Sequence, residues 1–388
     1  MAQPSPQVIS KDPKWVVSLN PNEFVNSAAI SGLAGLVVAG TFFHLYKPPD
    51  APPDRSSEPS EFGTYCFDSD GNQLWADKFE GYEGVYSVAI SDDGSIAASG
   101  GWYSNDPFTG FLRAYATADG TRLIDYPVPG SRIAALALSA DGTTLVAGGD
   151  NLYLFQQVDG LFPTKPSIFE LSGAGNSVES VSLSGDGSSI VMGDSEGTVY
   201  LIENNGGEIG TCYPWSSTDL ENVHSVAMAP LGGYFAVVGY SQYAYLFSTD
   251  SIKQKEYVSV FDFGSVSRVG WVAISMTGDF ISAVRNDPGS TDGFVYGLQN
   301  TNQRLVQLWS QSTIANPNST SVDFLGRYVT VADGFGGPGH FYLFDAATGN
   351  PLWQYETAQM SWPMFISSSG TGIVAGSDVG SVYYFTPE

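Results

Sequence analysis

A short phrase recurs along nearly the whole chain and constrains its fold more than any other feature. It reads apolar-small-apolar-Ser, then a tight Asp/Gly turn, then a second apolar run. SVAISDDGSIAASGG (Ser87 to Gly101) returns as AALALSADGTTLVAGG (Ala134 to Gly149) and SVSLSGDGSSIVMGD (Ser180 to Asp194). Looser copies are SVAMAPLGGYFAVVG (Ser225 to Gly239), WVAISMTGDFISAVR (Trp271 to Arg285), AAISGLAGLVVAG near the start and FISSSGTGIVAGS near the end. The apolar residue closing each first run is an anchor: Ile30, Ile90, Leu138, Leu183, Met228, Ile274, Phe324 and Ile366. Successive anchors are 60, 48, 45, 45, 46, 50 and 42 residues apart. Such a period marks a repeat architecture, in which each unit buries its apolar face on the next.

Every unit continues alike. After the second apolar run come a turn and a third strand, as in LRAYATADG (Leu112 to Gly120), VYLIENNGG (Val199 to Gly207) and FYLFDAATG (Phe341 to Gly349). A fourth run often carries Leu-Trp: Leu74-Trp75, Leu308-Trp309, Leu352-Trp353. Short apolar runs punctuated by Gly, Asp and Asn, with no helical stretch between, predict four antiparallel strands per unit. Repeated units of that kind are propeller blades. The last unit stops after its third strand, whereas KWVVSLN (Lys14 to Asn20) precedes the first unit as an orphan strand. Pairing the two closes the ring and removes an exposed edge. The expectation is a single all-β domain over residues 1–388, an eight-bladed β-propeller whose last blade is closed by residues 14–20. Seven blades is the alternative. The long first interval is an acidic, Pro-rich insertion, Lys47 to Gly63, between the second and third strands of the first blade.

FDAATGNPLW (Phe344 to Trp353), with FDSDGNQLW (Phe67 to Trp75) and YATADGTRLI (Tyr115 to Ile124), resembles the Asp-x-x-Thr-Gly-x-x-x-Trp repeat of the quinoprotein alcohol dehydrogenase-like propellers. The strand phrases are also similar to WD-repeat propellers, although no Trp-Asp dipeptide occurs. The resemblance is one of repeats and implies an architecture, not an activity, because propellers host unrelated functions. Quinone enzymes of the first group hold their cofactor with calcium on the axis, beside a catalytic Asp and often a vicinal cysteine pair. This chain has no adjacent cysteines and no recognisable cluster of that kind, so no cofactor is expected.

A net charge of −25 and the lack of any basic cluster argue against nucleic acid, whose phosphates must be met by Lys and Arg. Only 14% of residues are charged, and 45 Gly, 21 Tyr and 23 Phe suit strands joined by turns. The apolar segment Ala28 to Tyr46 is explained as two strands of the first unit, so no membrane span is expected. Cys66 and Cys212 fall in the first and fourth units, too far apart for a disulfide. The compartment stays open: cytoplasmic if Met1 is native, exported if a leader has been removed.

Three look-alike motifs fall on turns of the repeat. Gly193-x-Ser195-x-Gly197 matches a nucleophile elbow but is followed by a strand where a helix is required. Gly334-x-Gly336-x-x-Gly339 lacks the helix whose N-terminus would bind phosphate. Asp68-x-Asp70-Gly71 lacks the closing Glu of a calcium loop, since Phe79 stands at the twelfth position. The histidines His44, His224 and His340 lie in different units, without metal-ligand spacing.

What differs between units is the start of each innermost strand. Four positions before the anchors stand Asn26, Tyr86, Ala134, Glu179, His224, Gly270, Thr320 and Trp362. Between these and the residues two further back lies a row of core-facing Val and Ile. Tyr86, Arg132, Glu179, His224, Arg268, Trp271 and Trp362 are the candidate rim, a mixed aromatic and charged mouth of the kind that anchors protein interfaces. The expected function is a monomeric, non-catalytic scaffold that binds a protein or peptide. The alternatives are a quinone- or calcium-dependent enzyme with its site at the axial channel, or a glycan-binding propeller.

Overall fold

The computed structural model describes residues 9–19, 23–32, 35–43, 60–81, 83–105, 108–264, 268–286 and 293–388. Among the described residues the regular secondary structure is almost wholly β-strand, in four-stranded antiparallel meanders arranged as a propeller. The innermost strands are Phe24–Ile30, Gly84–Ile90, Ala135–Leu138, Val178–Leu183, Val223–Met228, Val269–Ile274, Pro317–Val322 and Ser361–Ile366. Each packs against the next, and Ser361–Ile366 packs against Phe24–Ile30. The first two units are joined through one extra pair, Phe42 with Gly84. One short helix, Thr249–Lys253, interrupts the fifth unit and is capped by Ser248.

The N-terminal strand Trp15–Ser18 pairs antiparallel with Ser381–Phe385, in the register Trp15 with Tyr384 and Ser18 with Ser381. It supplies the fourth strand of the last unit, beside Ser381–Phe385, Ile373–Ser377 and Ser361–Ile366. Of the insertion read as Lys47 to Gly63, residues 47–59 lie outside the described residues. Its last four positions do not belong to a loop. They are already in the strand Ser60–Phe67, which pairs along its length with Gln73–Gly81 and buries Phe62.

The repeated phrase is explained by how neighbouring units touch. In the first six units a wholly buried β-branched residue stands near the start of the inner strand: Val25, Val85, Ile133, Val178, Val223 and Val269. Val85 sits over Gly40, Ile133 over Gly100, Val178 over Gly148 and Val223 over Gly193, and Val25 closes the circuit over Gly376. A Cβ on Gly193 would lie 2.0 Å from Val223 Cγ1, so no larger residue fits there. The serines of the phrase serve the exposed edge of the next inner strand, whose N–H groups otherwise have no ladder partner. Ser27 Oγ accepts from Val88 N (2.9 Å), Ser180 Oγ from Val226 N (3.0 Å) and Ser182 Oγ from Met228 N (3.0 Å).

At the Asp/Gly turns the units are stitched into a circle by the backbone. Gly32 N donates to Asp92 O, Asp93 N to Ala140 O, Ala140 N to Gly185 O and Gly185 N to Pro230 O. Leu231 N then donates to Met276 O, Met276 N to Phe324 O and Phe324 N to Ser368 O. Ser369 Oγ returns to Gly32 O at 2.9 Å and completes the circle. On the outside, three fourth-strand tryptophans dock on the next unit. Trp15 Nε1 donates to Ser69 O (3.1 Å), Trp75 Nε1 to Thr117 O (2.8 Å) and Trp309 Nε1 to Ala346 O (2.7 Å). Each indole lies against a turn glycine of positive φ: Gly71, Gly120 and Gly349. The Thr-Gly-to-Trp spacing of the repeat is therefore a spacing between a tryptophan's receptor and the next tryptophan.

One anchor is corrected. Phe324 does not close the seventh inner strand; Val322 does. In that unit Asp323 replaces the turn serine and accepts from Arg327 N (2.7 Å) and Tyr328 N (2.9 Å). Its turn therefore starts two residues earlier than the apolar run suggests.

Gly193→Ala overpacks the seam with Val223 and is expected to destabilise the chain by roughly 1–3 kcal/mol. Gly233→Ala, where the added methyl meets nothing within 4 Å, is the neutral control. Urea unfolding checks both, and Val223→Ala should restore part of the loss in the Gly193→Ala background.

Candidate functional site

All the inner strands but Ala135–Leu138 carry an irregularity near their starts. Register shifts fall between Val25 and Ser27, Val85 and Ser87, Val178 and Ser180, Val223 and Ser225, Val269 and Trp271, Pro317 and Ser319, and Ser361 and Met364. The residues left unpaired are Asn26, Tyr86, Glu179, His224, Gly270 and Asn318, with Trp362 and Pro363 in the last unit. A bulge frees one side chain from the ladder and re-aims it. The candidate rim is thus largely a row of bulge residues. In the row four positions before the anchors Asn318 replaces Thr320, because the seventh inner strand closes at Val322 and Thr320 is buried within it. The Asn318 side-chain amide donates to Gly334 O (3.0 Å) and Ser361 O (2.8 Å), bridging two units.

Tyr86 and Arg132 meet. The exposed Arg132 guanidinium lies over the rings of Tyr86 (5.8 Å) and Trp102 (5.5 Å). Phe42 packs edge-on to both Tyr86 (5.3 Å) and Trp102 (5.5 Å). Beside them Glu83 is buried, and its Oε2 has no hydrogen-bond partner. Burial pushes its carboxyl up to about 7, with the nearby Arg132 charge pulling in the other direction. Glu179 is held by the Ser177 hydroxyl (2.7 Å), and burial raises the Tyr86 phenol, opposed by the Arg132 charge and aided by that of Glu179.

His224, Arg268 and Trp271 form a second grouping. Arg268 Nη2 donates to His224 Nε2, and the guanidinium lies 5.3 Å from the Tyr240 ring. The His224 ring stacks with Tyr240 (6.4 Å) and meets Trp271 edge-on (6.3 Å). Desolvation, then the Arg268 charge, lowers His224 to about 4, so it is the neutral acceptor at neutral pH. Trp271 also lines a cavity of about 240 Å³ among the inner strands, with Ser182, Met228, Thr320, Phe324 and Phe365. Trp362 lies in another sector, on the inner strand of the last unit. Asp378, whose N donates to Met360 O, has an unpartnered Oδ1, and burial raises its carboxyl to about 7.

Phe42, Trp102 and Tyr240 were missed from the sequence. Phe42 ends its second strand, Tyr240 follows the end of Tyr234–Gly239 and Trp102 lies within Ile96–Asn105, and Phe42 pairs with Phe24 and Trp102 with Gly84 at the entry of the first strand. Following each strand pair to its open end would have found them.

The look-alike motifs are structural. Ser195 lies in the turn between Ser189–Asp194 and Thr198–Asn204, and Asp194 Oδ1 accepts from Glu196 N and Thr198 N. The glycines 334 and 336 lie between Tyr328–Asp333 and Gly339–Asp345, with no helix. Asp68 Oδ1 accepts from Asp70 N and Asn72 N, closing its own turn. His340 is buried and its Nδ1 bonds Asp333 Oδ1 (2.9 Å), while His44 lies outside the described residues. Among the described residues no group of three or more His, Cys, Asp or Glu is placed to hold a metal ion. No described helix is long and apolar enough to cross a membrane. Cys66 and Cys212 are unpaired thiols that burial pushes up to about 12 and about 11.

Residues 76–106 match the family model "WD domain, G-beta repeat". No curated protein sequence matches the chain. Among solved structures, Chaetomium thermophilum Sqt1, bound to the N-terminus of a ribosomal protein, superposes with a TM-score of 0.70 at 14% identity. That likeness covers 94% of this chain and 97% of Sqt1. The chain has the β-propeller fold and, in one matched repeat, resembles the WD-repeat proteins.

Proposed function

We propose that the chain is one eight-bladed body, a monomeric and non-catalytic scaffold that binds a protein or peptide at the bulge-bearing mouth of its axial channel. The carrying observation is the pair of arginine–aromatic groupings, Arg132 with Tyr86 and Trp102, and Arg268 with His224 and Tyr240. Aromatic and arginine side chains placed together at the mouth of a rigid ring are the residue types that dominate interface energies. The fold is shared with Sqt1, whose structure holds a protein segment, which supports the same class of ligand. A chain of net charge −25 favours a basic segment over nucleic acid.

Peptides selected from a random library on the immobilised full chain should bind in the micromolar range. Arg132→Ala, Trp271→Ala or Trp362→Ala should weaken them about tenfold or more, each tenfold being ~1.4 kcal/mol. Undiminished binding by all three variants would remove the mouth as the site. A large rise in melting temperature with pyrroloquinoline quinone and calcium would instead favour an enzyme, since a ligand of the native state stabilises it.

The His224 protonation state gives a second check. Its folded pKa is about 4 against an ordinary 6.5, so the unfolded chain binds the extra proton first as pH falls. The stability this residue contributes is complete above 6.5 and is lost as pH drops towards 4. Wild type should therefore lose more stability than His224→Gln between neutral and mildly acidic pH, measured by urea unfolding. Equal losses would contradict the buried neutral imidazole.

A further inference from the structure

The opposite end of the channel is formed by the turns that follow the inner strands. In the second to fourth units each turn carries an aspartate with one oxygen fully engaged. Asp93 Oδ1 accepts from Ser91 Oγ (2.7 Å) and Ser95 N (2.8 Å), and Asp141 Oδ1 from Ser139 Oγ (2.7 Å) and Thr143 N (3.0 Å). Asp186 Oδ1 accepts likewise from Ser184 Oγ (2.6 Å) and Ser188 N (3.0 Å). Hydrogen bonds from Thr143 and Ser139 hold the Asp141 carboxyl low despite some burial, and the Ser184 and Ser188 bonds do so for Asp186. The second oxygen of each carboxylate remains available as an acceptor.

In the fifth to seventh units the same position is Leu231, Thr277 and Leu325, preceded by Pro230, Met276 and Phe324. Leu231 and Leu325 are each 67% exposed. The backbone bonds from Gly185 N to Pro230 O, Leu231 N to Met276 O and Met276 N to Phe324 O set these turns side by side. Pro230 and Phe324 also line the cavity of about 240 Å³, so the apolar arc continues inward. Asp279, tied to the Thr277 hydroxyl (2.8 Å), and Arg327, paired with Asp323 (2.8 Å), sit within this arc.

We propose that this turn-side mouth is a second docking surface, for a partner-protein segment that presents apolar side chains flanked by lysine or arginine. The apolar arc takes the apolar side chains, and the fixed carboxylates of Asp93, Asp141 and Asp186 take the cations. A sequence that spends turn aspartates on three units and replaces them with Leu, Thr and Leu on the next three leaves a mouth of two chemistries. Charge selects the occupant: a second copy of this chain, also at −25, meets repulsion, as does an anionic lipid surface or nucleic acid.

The probe is a labelled, acetylated peptide, Arg-Lys-Leu-Phe-Lys-Arg, titrated with the full chain and followed by fluorescence anisotropy. Two control peptides replace Leu and Phe by serine, or the cations by glutamate. Saturable micromolar binding of the parent peptide alone is expected, weakened about tenfold or more by the double variant Leu231→Ser, Leu325→Ser. Both leucines are exposed, so this variant should keep the wild-type melting temperature. Arg132→Ala, at the other mouth, should bind the peptide normally, which separates this surface from the one proposed above. Absence of saturable binding, equal binding of the serine peptide, or undiminished binding by the leucine variant would each overturn the proposal. So would a sedimenting dimer of the chain that dissociates in the leucine variant, since the arc would then be a self-association face.

Discussion

A single steric contact between units is the constraint from which most of the structure follows. At five seams the buried β-branched residue near the start of one inner strand needs space in the unit before it, and a glycine in that unit's second strand provides that space. Val223 over Gly193 and Val178 over Gly148 are two instances. Interiors packed to crystal-like density leave no slack for a methyl group at such a point. The contact sets how closely successive units approach. That approach in turn lets inner-strand serines reach the next strand's N–H groups and lets each Asp/Gly turn bond to its neighbour. Packing and hydrogen bonding therefore select the same rotation from one unit to the next, and the rotation returns the last unit to the first.

The same constraint explains which parts were legible in the sequence. Alternating apolar residues, the turn serine and the second-strand glycine recur because most seams are built from them, so strands, turns and the N-terminal strand could be placed from the pattern. The seventh unit misled because Asp323 does the work of the missing serine, which shifted the anchor from Val322 to Phe324 and put Thr320 where Asn318 belongs. The start of the third strand of the first unit was also hidden. Ser60 to Gly63 follow a Pro-rich stretch and carry little of the β-pattern, yet Thr41 and Gln73–Gly81 pair with them.

The candidate site was less legible, for a physical reason. Bulge residues are released from the ladder, so no packing rule fixes their identity and no period reveals them. Tyr86, Glu179 and His224 could be located by counting back from an anchor. Their partners Trp102, Phe42 and Tyr240 could not, because they arrive from second strands that run the other way. The two faces of the ring divide along similar lines. Positions that maintain the seams repeat, and positions at either mouth vary from unit to unit, aromatic and basic at one end, carboxylate and leucine at the other.

Closure of the ring is the claim on which both mouths depend, and it is directly measurable. Ser18 Oγ and Ser381 Oγ lie 3.2 Å apart across the pairing of the first strand with the last. The double variant Ser18→Cys, Ser381→Cys should form one disulfide within the chain under mild oxidation, identified by peptide mass spectrometry. Linking positions so distant in sequence should raise stability by about 2–4 kcal/mol. Failure to form that bond, or its formation only between chains, would contradict the closed ring.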